Sequence, residues 1–398
     1  MAARLLGHEV ADLCLGKPPL KSLSVSATVG DALSSLRKSE DNCISIWNCD
    51  HYSNSNKNSL NDCCFCIGKI SMVDIICYLC REDNLSSPSL ALKSPVSSLL
   101  SKIPGLVRHL EPSSSVVEAI DLILQGAQNL VIPIKSNTSG TSKRKLIQKS
   151  STICPTIHNG REFCWLTQED VMRFFLNSIG LFSPMPTLSI ENLGIINPEI
   201  LAIRYHSPAS SAIEAIKEAL VNQTSVAVVD DEGILIGEIS PFTLACCDES
   251  TATAITTLST GDLMAYIDCG GPPEDIVRVV IARLRERNLQ GMLEEFMIDS
   301  SIIPSNSSSS DEELPSPKTT LSRSGKYSRS SSYSARMVRR AEAIVCHPRS
   351  SLIAVMIQAI AHRVSYVWVI EDDGTVVGIV TFSNILEAFR EHFESMSF

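Results

Sequence analysis

A chain of 398 residues that is 44% hydrophobic and 20% charged, with mean hydropathy +0.12, has enough apolar material for two or three domains and excludes wholesale disorder. A net charge of −10 excludes a whole-surface electrostatic binder of nucleic acid. No apolar run reaches the ~18 residues of a membrane span, so no membrane partner is expected. Glu9 and Asp12 leave no apolar leader and little room for a transit peptide. With 14 cysteines, this predicts free thiols in a reducing, cytoplasmic setting, with the nucleus left open.

One pattern recurs along the chain. A strand at Leu23 leads to a helix opened by Thr28, apolar strands at 44–47 and 67–70, and a helix after Ser71. The second copy has Val107, Pro112, a Ser-capped helix reaching Ile120, strands at 130–134 and 163–166, and a helix after Thr167. The third has Ile203, Pro208, a helix reaching Ile216, strands at 225–229 and 236–239, and a helix after Ser240. The fourth has Ala343, Pro348, a helix reaching Met356, strands at 366–370 and 377–380, and a helix after Thr381. In the last two copies Asp231 to Gly233 and Asp372 to Gly374 close hairpins between β-branched runs. A short lead-in precedes each copy, at 10–13, 96–99, 190–193 and 260–263.

The predicted boundaries are 1–82, 93–180 with a loop inserted at 136–160, 187–250, and 258–394 with an insertion at 271–341. A further Asn- and Ser-rich insertion occupies 49–62. Within the longest insertion, Pro272 and Pro273 open a helix expected to run from Glu274 to about Met297. It carries an apolar stripe (Ile276, Val279, Val280, Leu284) beside Arg278, Arg283, Arg285 and Arg287, which reads as core packing or as a partner-docking face. The Ser-rich stretch at 299–338 buries too little to order itself. Its Ser308, Ser309 and Ser310 each precede an acidic residue by three positions, and Ser332 follows Arg329 by three. These suit phosphorylation and pairing with nearby arginines.

Four consistent strand–helix–strand–strand–helix copies resemble the CBS domain, with the fourth (Pro348, Val367 to Ile370, Gly374, Gly378, Thr381) nearest the pattern. The set is similar to the plant CBS-domain-containing proteins of the CBSX family. It is more distantly similar to the gamma subunits of SNF1/AMP-activated kinases. The resemblance implies an α/β fold of two pseudo-symmetric CBS pairs, stacked as a disk. The aliphatic strands call for helices on each sheet face.

Just past each glycine strand stands a helix start with a hydroxyl and, three residues on, a polar partner: Ser71 and Asp74, Thr167 and Asp170, Ser240 and Thr243, Thr381 and Asn384. From the residues alone these are N-caps. A helix start also offers free N–H groups to a phosphate. The resemblance implies that the hydroxyl contacts phosphate and the acid holds ribose hydroxyls, giving AMP, ADP or ATP as ligands. The full motif at Ser71, Asp74, Thr167 and Asp170 makes the first pair the better site, and Cys164, standing where the other copies have glycine, crowds it.

Cys49, His51, Cys63, Cys64 and Cys66 supply enough donors for zinc, but their spacing is irregular and reduced thiols without metal are expected. Cys77 and Cys80 share a helix face and read as core. There is no GxSxG, P-loop, HExxH or GxGxxG, so no enzyme is expected. The reading is a non-catalytic regulator that binds an adenosine nucleotide and acts on a protein partner, a kinase complex or redox enzyme by resemblance. A homodimer is also allowed. The alternative is a ligand-free scaffold whose motif residues are caps only.

Overall fold

The computed structural model describes residues 7–39, 41–49, 64–134, 157–158, 160–268, 274–299 and 341–396. The phosphorylation motifs around Ser308 and Ser332, and the donors His51 and Cys63, lie outside the described residues.

Four three-stranded sheets carry the fold. The first repeat is β1 (Ser22–Ser24), α1 (Val29–Lys38), β2 (Cys43–Trp47), β3 (Cys66–Ser71) and α2 (Met72–Leu79). The second is β4 (Val107–His109), α3 (Val116–Leu124), β5 (Asn129–Ile134), β6 (Glu162–Thr167) and α4 (Gln168–Asn177). The third has β7 (Leu201–Arg204), α5 (Ile213–Asn222), β8 (Val226–Val229), β9 (Leu235–Ile239) and α6 (Pro241–Leu244). Helices α7 (Thr251–Thr257), α8 (Thr260–Asp268), α9 (Glu274–Glu286) and α10 (Gln290–Asp299) follow. The fourth repeat is β10 (Val345–Cys346), α11 (Leu352–His362), β11 (Tyr366–Ile370), β12 (Val376–Thr381) and α12 (Phe382–Met396). In every sheet the middle strand pairs parallel with the first and antiparallel with the third. The parallel pair is the one joined through a helix, as a crossover requires.

Helices cover only one face of each sheet. Alternation along β5 shows why: Leu130 and Ile132 enter the helix-side core, whereas Val131 joins Trp47 and Phe163 between the first two sheets. Both faces are apolar, as the sequence predicts, but one of them meets another sheet. The helix-side cores then join different repeats. Val29, Val73 and Ile76 of the first repeat pack with Ile216, Val228 and Leu244 of the third. Val116, Phe175 and Leu166 of the second pack with Leu352, Val367 and Phe389 of the fourth. The Phe175 and Phe389 rings stand 4.5 Å apart. Each repeat thus has one neighbour through its sheet and another through its helices, which closes a ring of four.

Each lead-in docks on the other member of its pair, not on the sheet that follows it. Val10 N–H donates to Ser114 O (2.8 Å), and Val96 N–H to Ala27 O (2.8 Å). Ile190 N–H donates to Ser350 O (3.0 Å), and Thr260 N–H to Ser207 O (2.8 Å). The third-strand glycines make room for chain arriving with these segments. A Cβ on Gly378 would lie 2.5 Å from Asn197 O, one on Gly237 2.4 Å from Ala341 O, and one on Gly68 2.7 Å from Leu100 Cδ2.

Two expected helices differ. The third repeat's last helix, α6, has four residues, and α7, buried throughout, packs beside it against α2. The helix expected from Glu274 to Met297 is two, because Asn288 takes a left-handed φ of 54° between α9 and α10. The apolar face of α9 (Val277, Val280, Leu284) is buried core. Arg283 and Arg287 donate to the carbonyls of Thr257 and Thr256 at the end of α7, where cations are favoured. Core packing therefore accounts for Val280 and Leu284 of the expected stripe, whereas Val279 is exposed. Cys77 and Cys80 are buried in the same core, and burial pushes the Cys80 thiol up to about 12.

Candidate functional site

Three helix starts share one geometry. Ser71 N–H and Oγ both donate to Asp74 Oδ2 (2.7 and 2.7 Å). Thr167 N–H and Oγ1 donate to Asp170 Oδ2 (2.7 and 2.8 Å). Thr381 N–H and Oγ1 donate to Asn384 Oδ1 (3.0 and 2.7 Å). The amide of Asn384 therefore caps as a carboxylate does. Burial raises the Asp74 carboxyl above its ordinary value, against the opposing pull of the Ser71 N–H and hydroxyl and of Lys69.

Asp170 is further engaged. Lys17, on the chain entering the first repeat, forms an ion pair with it and donates to Trp165 O (2.7 Å). Cys164, the residue in the glycine position, is fully buried and hydrogen-bonded to Cys14.

The third repeat departs from the pattern. Ser240 accepts from Phe242 N–H (3.2 Å) and receives the Tyr366 hydroxyl (2.9 Å). The same hydroxyl meets Glu238 Oε1 (2.9 Å), and Trp368 Nε1–H donates to Glu238 Oε2 (2.7 Å). Ser240 thus serves a buried network joining the third and fourth sheets, and Thr243 is buried in its short helix. Sequence reasoning missed Glu238, whose signal was a charged residue between apolar neighbours in a strand.

A cavity of about 870 Å³ opens where the second, third and fourth repeats meet. Its lining includes Thr381 at the end of β12, Ser383 and Asn384 of α12, Gln168 at the start of α4, Asn197 and Ser225. Gln168 Nε2–H donates to Ser383 Oγ (3.1 Å), so the positive ends of two helices converge on this space. Ser225 is 1% exposed and its Oγ has no hydrogen-bond partner. Glu199 and Glu218 also reach the wall, so the space is polar but not uniformly positive. Of the predicted site residues, it brings together Thr381 and Asn384; Ser71, Asp74, Thr167, Asp170 and Ser240 are not in its lining.

A family model for the CBS domain matches residues 335–391. CBS domain-containing protein CBSX5 of Arabidopsis thaliana is 50% identical over 404 residues, spanning 99% of this chain and 100% of that one. The chain belongs to the CBS domain-containing proteins. This CBS chain is also 22% identical over 405 residues to the SNF1-related protein kinase regulatory subunit gamma-like PV42b of Arabidopsis thaliana, across 98% of this chain and 96% of that one. Among solved structures, protein MJ1225 of Methanocaldococcus jannaschii shares the fold at a TM-score of 0.52 and 12% identity, covering 96% of this chain and 100% of that one. The four sheets of this CBS chain are four CBS units in two pairs. Among its described residues no helix is long and apolar enough to cross a membrane.

Proposed function

We propose that this CBS protein is a non-catalytic regulator that takes an adenosine nucleotide (AMP, ADP or ATP) in the cavity beside Thr381 and Asn384. The observation that carries the reading is the meeting of two helix starts over a polar space lined by Thr381, Ser383 and Asn384. Phosphates suit the positive dipole ends of α4 and α12, and Asn384 offers a ribose an uncharged partner. The cavity is walled by three repeats, so a ligand preferring one arrangement of them shifts their packing, and a partner reading that packing responds. A kinase complex is the favoured partner, since a full-length relative is named as a kinase regulatory subunit; a redox enzyme is second.

The scaffold alternative fits the first pair better. There Lys17 holds Asp170, and none of Ser71, Asp74, Thr167 and Asp170 lines the cavity.

Thermal unfolding with AMP, ADP, ATP and S-adenosylmethionine tests the reading. At a hundredfold excess over Kd one site adds about 2.7 kcal/mol. Ser383→Glu is the decisive variant. A carboxylate in the first turn of α12 favours the helix but repels a phosphate. A rise in the wild type that this variant loses supports the cavity. A rise that it keeps moves the site elsewhere, and no rise with any ligand favours the scaffold.

A further inference from the structure

Cys49 follows β2, Cys64 precedes β3, and His158 lies just before β6 in the next repeat. Their Sγ and imidazole donor atoms all come within 4.8 Å of one another. Cys49 Sγ stands 3.2 Å from His158 Nδ1. Sulfur and nitrogen ligands on a tetrahedral zinc are about 3.6 Å apart, and two sulfurs about 3.8 Å, from bond lengths near 2.3 and 2.05 Å. The cluster therefore needs only small side-chain adjustment to close on an ion.

The histidine is held as a metal ligand is held. Its ring stacks on Trp47 at 3.6 Å between centroids and 6° between planes. Its other nitrogen, Nε2, is 3.2 Å from Ser22 Oγ, which fixes the ring and leaves Nδ1 facing the sulfurs. His158 and Arg161 exchange backbone hydrogen bonds (3.0 Å each), which anchor the residue. His158 is 3% exposed and Cys64 8%.

We propose that Cys49, Cys64 and His158 form a zinc site at the seam between the first two CBS sheets. Two thiolates and an imidazole select zinc over harder cations. Among the described residues these three donors are the ones that cluster, which leaves the fourth position to a water molecule. Binding releases the two thiol protons to solvent as the Zn–S bonds form, with no change of oxidation state. The ion would tie the edges of the first sheet to the second, independently of any nucleotide at Thr381.

The test uses the full-length chain purified under reducing conditions. Elemental analysis should find about one zinc per chain, lost in Cys49→Ser, Cys64→Ser and His158→Gln and kept in Cys246→Ser. Cobalt added to metal-stripped wild-type protein should give thiolate-to-cobalt charge-transfer absorption of tetrahedral type, a readout that does not depend on the variants folding. Three results would overturn the proposal. One is a folded wild type that takes up neither zinc nor cobalt from excess metal. Another is retention of zinc by all three folded variants. The third is a Cys49–Cys64 disulfide, found by peptide mapping, in protein that binds no metal.

Discussion

Replacing Gly378 by alanine separates two reasons for a glycine in the third strand, room for a ligand and room for neighbouring chain. In the structure the space is taken by backbone. An added Cβ would lie 2.5 Å from Asn197 O and 3.1 Å from Asn197 C. The segment at Asn197 would have to retreat, breaking the reciprocal pair Asn197 N–H to Ile379 O (2.9 Å) and Ile379 N–H to Asn197 O (2.9 Å). Two such bonds are worth ~1 kcal/mol each, and overpacking adds ~1–3 kcal/mol. The expected loss is about 3–5 kcal/mol, a fall of roughly 4–6 °C in Tm for a protein of this size. Gly68→Ala is the internal control. Its Cβ meets Leu100 Cδ2 at 2.7 Å, the tip of a side chain that can rotate away, so the expected loss is about 1 kcal/mol or less. Thermal unfolding of both variants, followed by circular dichroism without nucleotide, gives the comparison. If Gly378→Ala is no less stable than Gly68→Ala, backbone crowding is not the reason for the glycine.

The Asp74 carboxyl is raised by burial, so the folded chain holds its proton more tightly than the unfolded chain. This group's contribution to stability therefore increases as pH falls from above its folded value towards its unfolded value, and is lost as pH rises through the folded value. Asp74→Asn should keep the cap, as Asn384 does, be no less stable at neutral pH, and lack that acid-side gain; equal urea-midpoint slopes against pH in both proteins would refute this. Glu238→Gln removes the charged acceptor of the Tyr366 hydroxyl and of Trp368 Nε1–H and should cost about 1.5–3 kcal/mol, the scale of hydrogen bonds to a charged acceptor. Adding Trp368→Phe should cost less than the two single losses summed, and strict additivity in that double-mutant cycle would show the network uncoupled.

Local order was legible in the sequence because it is written at short range. Caps span three residues, helices repeat every three or four and strands every two, so the four units could be placed from their own residues. The caps at Ser71, Thr167 and Thr381 formed where the spacing put them. The break at Asn288 escaped because the apolar stripe runs across it, and a single left-handed residue leaves the pattern almost unchanged. Ser240 has the same sequence signal as the other three hydroxyls. Only Tyr366, more than a hundred positions away, turns it into part of a buried network.

What the sequence determined by itself is the repeating unit, its α/β order and its family. Which repeat meets which was decided only by the tertiary structure. Both faces of the middle strands β5, β8 and β11 are apolar, and hydrophobic pattern does not distinguish a helix from another sheet as the covering layer. The same holds for the candidate sites. Gln168 meets Ser383 and Cys49 meets His158 across 215 and 109 positions. Hydrogen-bonding and metal-ligating atoms act over a few ångströms, and only the closed ring of repeats brings them that near.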